Sequence, residues 1–131
     1  MKNNIILLYT SILIDFFRKK NKTNSIFYKL SKKYNRFAVS TITRFKIFVG
    51  QNKEQNEFLK NFYKSIIIID FTDKCAFNAS EIAKQLKKDR NLIDTPDILI
   101  AATAITNNLS MATLNIKHFN RINDIKIIDH N

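Results

Sequence analysis

"DTPDILIAATAITNN", residues 94–108, decides how this chain is read. Thr95 is placed to cap a helix, and Pro96 suits the first helical position, where a missing N–H has no intrahelical partner to lose. Asp97 falls in the first turn, where the helix dipole favours an anion. Asn107 and Asn108 end the segment. Beyond it, "SMATLN" (110–115) reads as a short strand, "IKHFNRI" (116–122) as one or two helical turns, and "IKII" (125–128) as a last strand.

The same alternation holds upstream. "NIILLY" (4–9) reads as a buried strand, with Thr10 or Ser11 placed to cap a helix to about residue 18. A basic helix is expected over 23–34, then the strand "FAVS" (37–40). Ser40 or Thr41 caps "TITRFKIFV", and Gly50 stops it. "KEQNEFLKNFYK" (53–64) continues as a polar-faced helix. "IIIID" (66–70) opens with four β-branched residues in a continuous run, as a strand covered on both faces does. "TDKCAFNASEIAKQLKKD" (72–89) opens with a hydroxyl and an acid, and its apolar residues recur at helical spacing. Strand–helix alternation along the whole chain predicts an α/β fold, a mostly parallel sheet of four or five strands with helices on both faces.

The chain has 131 residues, 45% of them hydrophobic, with one Gly and one Pro, which suits a single domain over 1–131 and leaves little material for a linker. Cys75 is the only cysteine, so no internal disulfide forms and a reducing cytoplasm suits the chain. A net charge of +11 favours polyanions, nucleic acid first. Residues 5–14 have the length of a signal-peptide core, but Asp15, Arg18, Lys19 and Lys20 follow with no small-residue cleavage site. Neither export nor a membrane span is expected. There is no GxGxxG, P-loop or CxxC, so nucleotide cofactors and zinc find no support, and a DNA-binding module lacks any helix-turn-helix pattern.

In a doubly wound sheet, ligands gather beyond the carboxyl ends of the strands. Tyr9, Lys46, Asp97 and Asn115 fall at or near that edge. Around them, "LLYTSILIDFFRK" (7–19), "AVSTITRFKIFVG" (38–50), "DILIAATA" (97–104) and "ATLNIKHF" (112–119) resemble the successive motifs of PIN-domain ribonucleases, and VapC toxins of type II toxin–antitoxin pairs in particular. The resemblance runs essentially end to end. It implies a PIN-like, Rossmann-like three-layer sandwich and a Mg²⁺- or Mn²⁺-dependent endoribonuclease acting on structured RNA such as tRNA or rRNA. It also implies a homodimer and a VapB-type antitoxin lying across the active-site groove. Ile12, Phe16, Phe17 and Phe48 are candidates for that surface, with core packing as the default for each.

The family's metal site, as the resemblance implies it, takes an acid after the first strand, one in the third helix, one opening the "IAATA" helix, and an acid or Asn after "ATL". Mg²⁺ is held through carboxylates and water, and then lowers the pKa of a water and neutralises phosphate charge. Here Asp97 and Asn115 match, whereas Tyr9 and Lys46 stand where acids are expected. Asp94 and Asp15 lie close enough in sequence to be helpers. At 4 Å and an effective dielectric of 20, a lysine ammonium and a divalent ion repel by about 8 kcal/mol before water and side-chain motion reduce it. Weak or absent metal binding is therefore expected, with Lys46 pairing Asp97 instead. A metal-free mechanism using Tyr9 and Lys46 has no other support in the motif.

Asp and Tyr codons differ by one base, as do Glu and Lys codons. Both departures are therefore single-base changes if the family acids were Asp and Glu, as expected of a toxin inactivated by selection or design. The alternative is a naturally inert PIN pseudo-nuclease that binds antitoxin, RNA or both. Arg18, Arg44, Lys117 and Arg121 are candidate phosphate contacts. His118, in the "KHFNRI" helix, is expected to pack or face RNA, and His130 to do nothing specific.

Overall fold

The computed structural model describes residues 5–51 and 53–130, apart from the side chain of residue 54. The elements are β1 (Ile5–Leu8), α1 (Thr10–Arg18), a 3-10 turn (Lys22–Asn24), α2 (Ile26–Ser31), β2 (Arg36–Ser40) and α3 (Thr41–Gly50). There follow α4 (Lys53–Tyr63), β3 (Ile67–Ile69), α5 (Asp73–Lys88), α6 (Thr95–Thr106), β4 (Ser110–Ala112) and α7 (Ile116–Phe119). The expected first strand began at Asn4, which lies outside the described residues. The sheet order is β3-β2-β1-β4 and every pairing is parallel.

Side chains alternate across this sheet, so each strand feeds two cores. Ile6 and Leu8, with Phe37 and Val39, pack with Ile12, Leu13, Leu30, Ile47 and Leu59 on the face covered by α1, α2 and α4. Leu7, Tyr9, Ala38 and Met111 pack with Ile82, Leu86, Ile100 and Phe119 on the face covered by α5, α6 and α7. The three-layer α/β sandwich of the sequence reading is what the chain adopts.

Local expectations fail where a distant contact outweighs a nearby one. The basic helix expected over 23–34 is split: Ser25, fully buried, caps α2 by accepting from the Tyr28 N–H. Asp15 Oδ2 accepts the Ile26 N–H at 2.9 Å, which fixes the start of α2 from α1. The last strand reduces to a single bridge between Met111 and Ile127. Gly50 ends α3, but no glycine has positive φ; the cap is Gln51 in extended conformation. By contrast, Asn108 takes a left-handed φ of 54°, and the Leu109 N–H returns to the Ala104 carbonyl at 2.9 Å, closing α6.

Candidate active site

Parallel strands bring the ends of β1, β2 and β4 to one edge. The residue after β1 is Tyr9, which is the N-cap of α1 without a side-chain cap. Thr10 and Ser11, the expected caps, are used across elements: Thr10 Oγ1 lies 3.4 Å from Thr43 Oγ1, and Ser11 Oγ accepts the Leu114 N–H. Ser40 caps α3, as expected, by accepting the Thr43 N–H at 3.0 Å, and that orients the turn carrying Lys46. α6 starts one residue earlier than its expected capping pattern, with Asp94 rather than Thr95 as N-cap. Pro96 and Asp97 stay in the first turn.

Asp97 is buried, and three side chains from three other elements close on it. The Tyr9 hydroxyl donates to Oδ1 at 2.6 Å. Lys46 Nζ lies 3.5 Å from the same Oδ1 and 3.5 Å from the Tyr9 hydroxyl oxygen. His118 Nε2 lies 3.1 Å from Oδ2. The Tyr9 ring packs edge-on against the fully buried Phe119, with centroids 4.9 Å apart. Burial first, then the hydrogen bond to Asp97 and the charges of Asp97 and Asp94, hold the Tyr9 phenol well above the usual tyrosine range. It therefore stands beside Asp97 as a neutral donor, not as a phenolate ligand.

His118 was expected to pack or face RNA; its ring packs edge-on against Phe119, with centroids 5.1 Å apart, and its Nε2 adds it to the cluster around Asp97. Its place three residues beyond Asn115 is the only signal in the sequence. Asn115 and Asp94 are exposed and hold no side-chain hydrogen bond as helix caps. Asp15 is not a helper at this edge, because its carboxylate holds the Ile26 N–H and pairs with Lys19 at 3.4 Å. Arg44, a candidate phosphate contact, is half-buried. Its guanidinium sits 4.7 Å from the Phe48 ring and 4.4 Å from the Tyr63 ring, and its Nε is buried. Arg18, Lys117 and Arg121 are exposed. His130 is not idle: its Nε2 lies 3.1 Å from the Thr113 carbonyl, beside the end of β4. Of the candidate partner-surface residues, Ile12 is fully buried, Phe16 and Phe17 are half-buried, and Phe48 is exposed.

Residues 6–125 match the model of the PIN domain. The chain belongs to the PIN-domain family. Within it the chain groups with the VapC ribonucleases. Ribonuclease VapC1 of Methanocaldococcus jannaschii is 35% identical over 95% of this chain and 87% of its own. Ribonuclease VapC2 of Rickettsia felis is 34% identical over 90% of this chain and 92% of its own. The crystal structure of VapBC2 from Rickettsia felis, bound to a DNA fragment from their promoter, superposes with a TM-score of 0.81 at 32% identity, covering 95% of this chain and 97% of that one. DNA-bound VapBC from Salmonella typhimurium gives 0.86 at 23% identity, covering 99% of this chain and 100% of that one, a likeness of fold.

A divalent ion does not fit the PIN site of this chain. Both Asp97 oxygens are already taken, one of them by a cation. Among the described residues no group of three or more His, Cys, Asp or Glu side chains is disposed to hold a metal. A hard cation needs several anionic or carbonyl oxygens converging on it, and here one carboxylate converges with an ammonium, a phenol O–H and an imidazole.

Proposed function

We propose that this protein is a VapC-type toxin whose endoribonuclease chemistry on structured RNA, tRNA or rRNA, is disabled at the metal site. The single observation that carries this is the pairing of Lys46 and Tyr9 with Asp97 Oδ1. In the family's Mg²⁺- or Mn²⁺-dependent reaction, the metal supplies an activated water and charge neutralisation at the scissile phosphate. In this chain the residues do something else. Lys46 balances the Asp97 charge, the Tyr9 O–H and His118 each meet one of its oxygens, and Phe119 packs against the Tyr9 ring. No base is left free at that carboxylate.

RNA affinity and partner binding do not need the metal. The net charge of +11 suits a phosphate backbone, and the relatives solved as VapBC complexes support a VapB-type antitoxin as partner. The closed hydrogen-bonding of Asp97 also favours a second reading, an inert PIN protein that retains antitoxin, RNA or both as ligands, working in the cytoplasm as a homodimer.

The test compares the present chain with the double variant Tyr9→Asp/Lys46→Glu on total RNA in Mg²⁺ or Mn²⁺. The variant keeps a net charge of +8, still basic enough for RNA, since the two changes remove one and two charges from +11. Cleavage by the variant and none by the present chain is the expected result. Equal rates overturn the reading.

A further inference from the structure

Charge is not spread evenly along this chain. Residues 16–53 hold eleven Lys and Arg and no Asp or Glu, so the whole net charge of +11 sits there. The remainder carries eleven charges of each sign. Several of the cations in that span are engaged inside the fold. Lys46 pairs with Asp97, Lys19 pairs with Asp15, Lys22 donates to the Phe16 and Phe17 carbonyls, and the Arg44 guanidinium packs on Phe48 and Tyr63. Lys29, Lys32, Lys33 and Arg36 are exposed, and among the described residues none of them pairs with a carboxylate.

These four cations gather where α2 ends and β2 begins. Ser40, at the carboxyl end of β2, belongs to the edge that carries Tyr9. Arg36, four residues back, stands about 13 Å away at the opposite edge of the sheet. β3 pairs with β2 in the register Ala38↔Ile67, so the exposed Lys64, three residues before Ile67, enters from the neighbouring strand. Ser31, Lys32, Lys33, Tyr34 and Asn35 line a hollow of about 290 Å³ at this corner. No large apolar side chain between residues 26 and 36 is exposed.

We propose that this corner grips the phosphodiester backbone of a nucleic acid, as a contact separate from the Asp97 edge and on the other side of the sheet. This rests on the reading that the chain keeps its RNA affinity without a metal, and it says where that affinity resides. Backbone contacts ask for cations and polar donors and carry no base information, which is what Lys29, Lys32, Lys33, Arg36 and Lys64 around a polar hollow supply. An acidic protein segment or an anionic membrane finds the charge but no exposed apolar side chain to bury against.

The experiment measures, by fluorescence anisotropy in EDTA, binding of a labelled uridine 12-mer RNA and of a labelled DNA duplex of equal length to the full chain. Lys32→Gln/Lys33→Gln/Arg36→Gln is expected to weaken RNA binding about tenfold or more at 0.1 M salt. Three lost phosphate contacts also flatten the plot of log affinity against log salt by a slope of about 2 for a single strand. Lys74→Gln/Lys87→Gln/Lys88→Gln, an equal charge change at exposed positions of α5, is expected to weaken binding by less than about threefold and to keep the slope. Should Arg36→Gln unsettle the start of β2, Lys32→Gln/Lys33→Gln is expected to retain a slope change of about 1.4. A preference for RNA or for DNA with the same dependence on the three cations supports the proposal and names the source of the backbone.

Equal losses from the two triple variants show attraction to net charge alone and overturn the proposal. A larger loss from Arg18→Gln/Lys117→Gln than from the corner variant overturns it in favour of the Asp97 edge. Polyglutamate that displaces the labelled RNA as well as unlabelled uridine RNA does overturns it in favour of an acidic protein. Undiminished binding by the corner variant overturns this proposal and leaves the RNA affinity of the present chain standing. Absence of binding by the present chain removes that affinity too, so the two failures are distinct.

Discussion

The Tyr9 hydroxyl donates a 2.6 Å hydrogen bond to Asp97 Oδ1, joining the end of β1 to the first turn of α6 across 88 residues of sequence. Lys46 approaches the same oxygen, so the buried carboxylate is balanced by the chain itself. A charge buried without such a partner is strongly destabilising, and a fold that retains Asp97 therefore needs either a metal or a built-in cation.

Magnesium is expected to leave the thermal midpoint of the present chain unchanged and to raise that of Tyr9→Asp/Lys46→Glu. A ligand that binds only the native state adds about 2.7 kcal/mol at a hundredfold excess over its Kd. Differential scanning fluorimetry over a Mg²⁺ series measures this. A rise in the present chain matching that of the double variant contradicts the account of its metal site.

Tyr9→Phe keeps the ring against Phe119 and removes only the O–H. The Asp97 oxygen then loses a buried donor, and the expected loss is about 1–2 kcal/mol, read from urea unfolding at neutral pH.

Tyr9 also sets a pH dependence at the alkaline end. Its folded pKa is raised above the ordinary 10.0, chiefly by burial. Above that pH the unfolded phenol loses its proton while the folded one keeps it, so the native state binds more protons and stability falls as pH rises. The contribution is complete below pH 10 and is lost upward, by as much as about 1.4 kcal/mol for each pH unit. Burial raises Tyr63 as well, so the wild-type slope reports both groups. In Tyr9→Phe the slope of unfolding free energy between about pH 10 and 11 is expected to be shallower.

Asp15→Ala removes the acceptor of the Ile26 N–H and is expected to destabilise by about 1–2 kcal/mol. Introduced into the Tyr9→Asp/Lys46→Glu background, it is expected to leave the Mg²⁺-induced rise in thermal midpoint intact, because Asp15 serves α2 rather than the Asp97 edge. A lost rise would restore Asp15 as a metal helper.

Much of the architecture is legible along the chain because its signals are local. Pro96 and Asp97 mark where α6 begins, Asn108 where it ends, and Ser40 and Thr72 accept from N–H groups three residues on. Strand alternation in β1 and β2 likewise assigns side chains to the two faces without knowledge of the partner strands. The positions of Tyr9, Lys46, Asp97 and Asn115 at one edge follow from parallel strand–helix order alone.

What those residues do to one another is set elsewhere. Nothing near His118 in sequence announces Asp97, and nothing near Arg44 announces that Tyr63 will join Phe48, one helical turn on, against its guanidinium. The splitting of the basic helix before Ile26 depends on a carboxylate eleven residues earlier, and the last strand shrinks to one bridge at Met111. Sequence determined the elements and the identity of the departures at Tyr9 and Lys46, because caps, breakers and periodicity act over three or four residues. Tertiary structure alone decided that both departures meet Asp97, because a buried charge is satisfied by whichever donors the sheet brings within hydrogen-bonding distance, however far apart they lie along the chain.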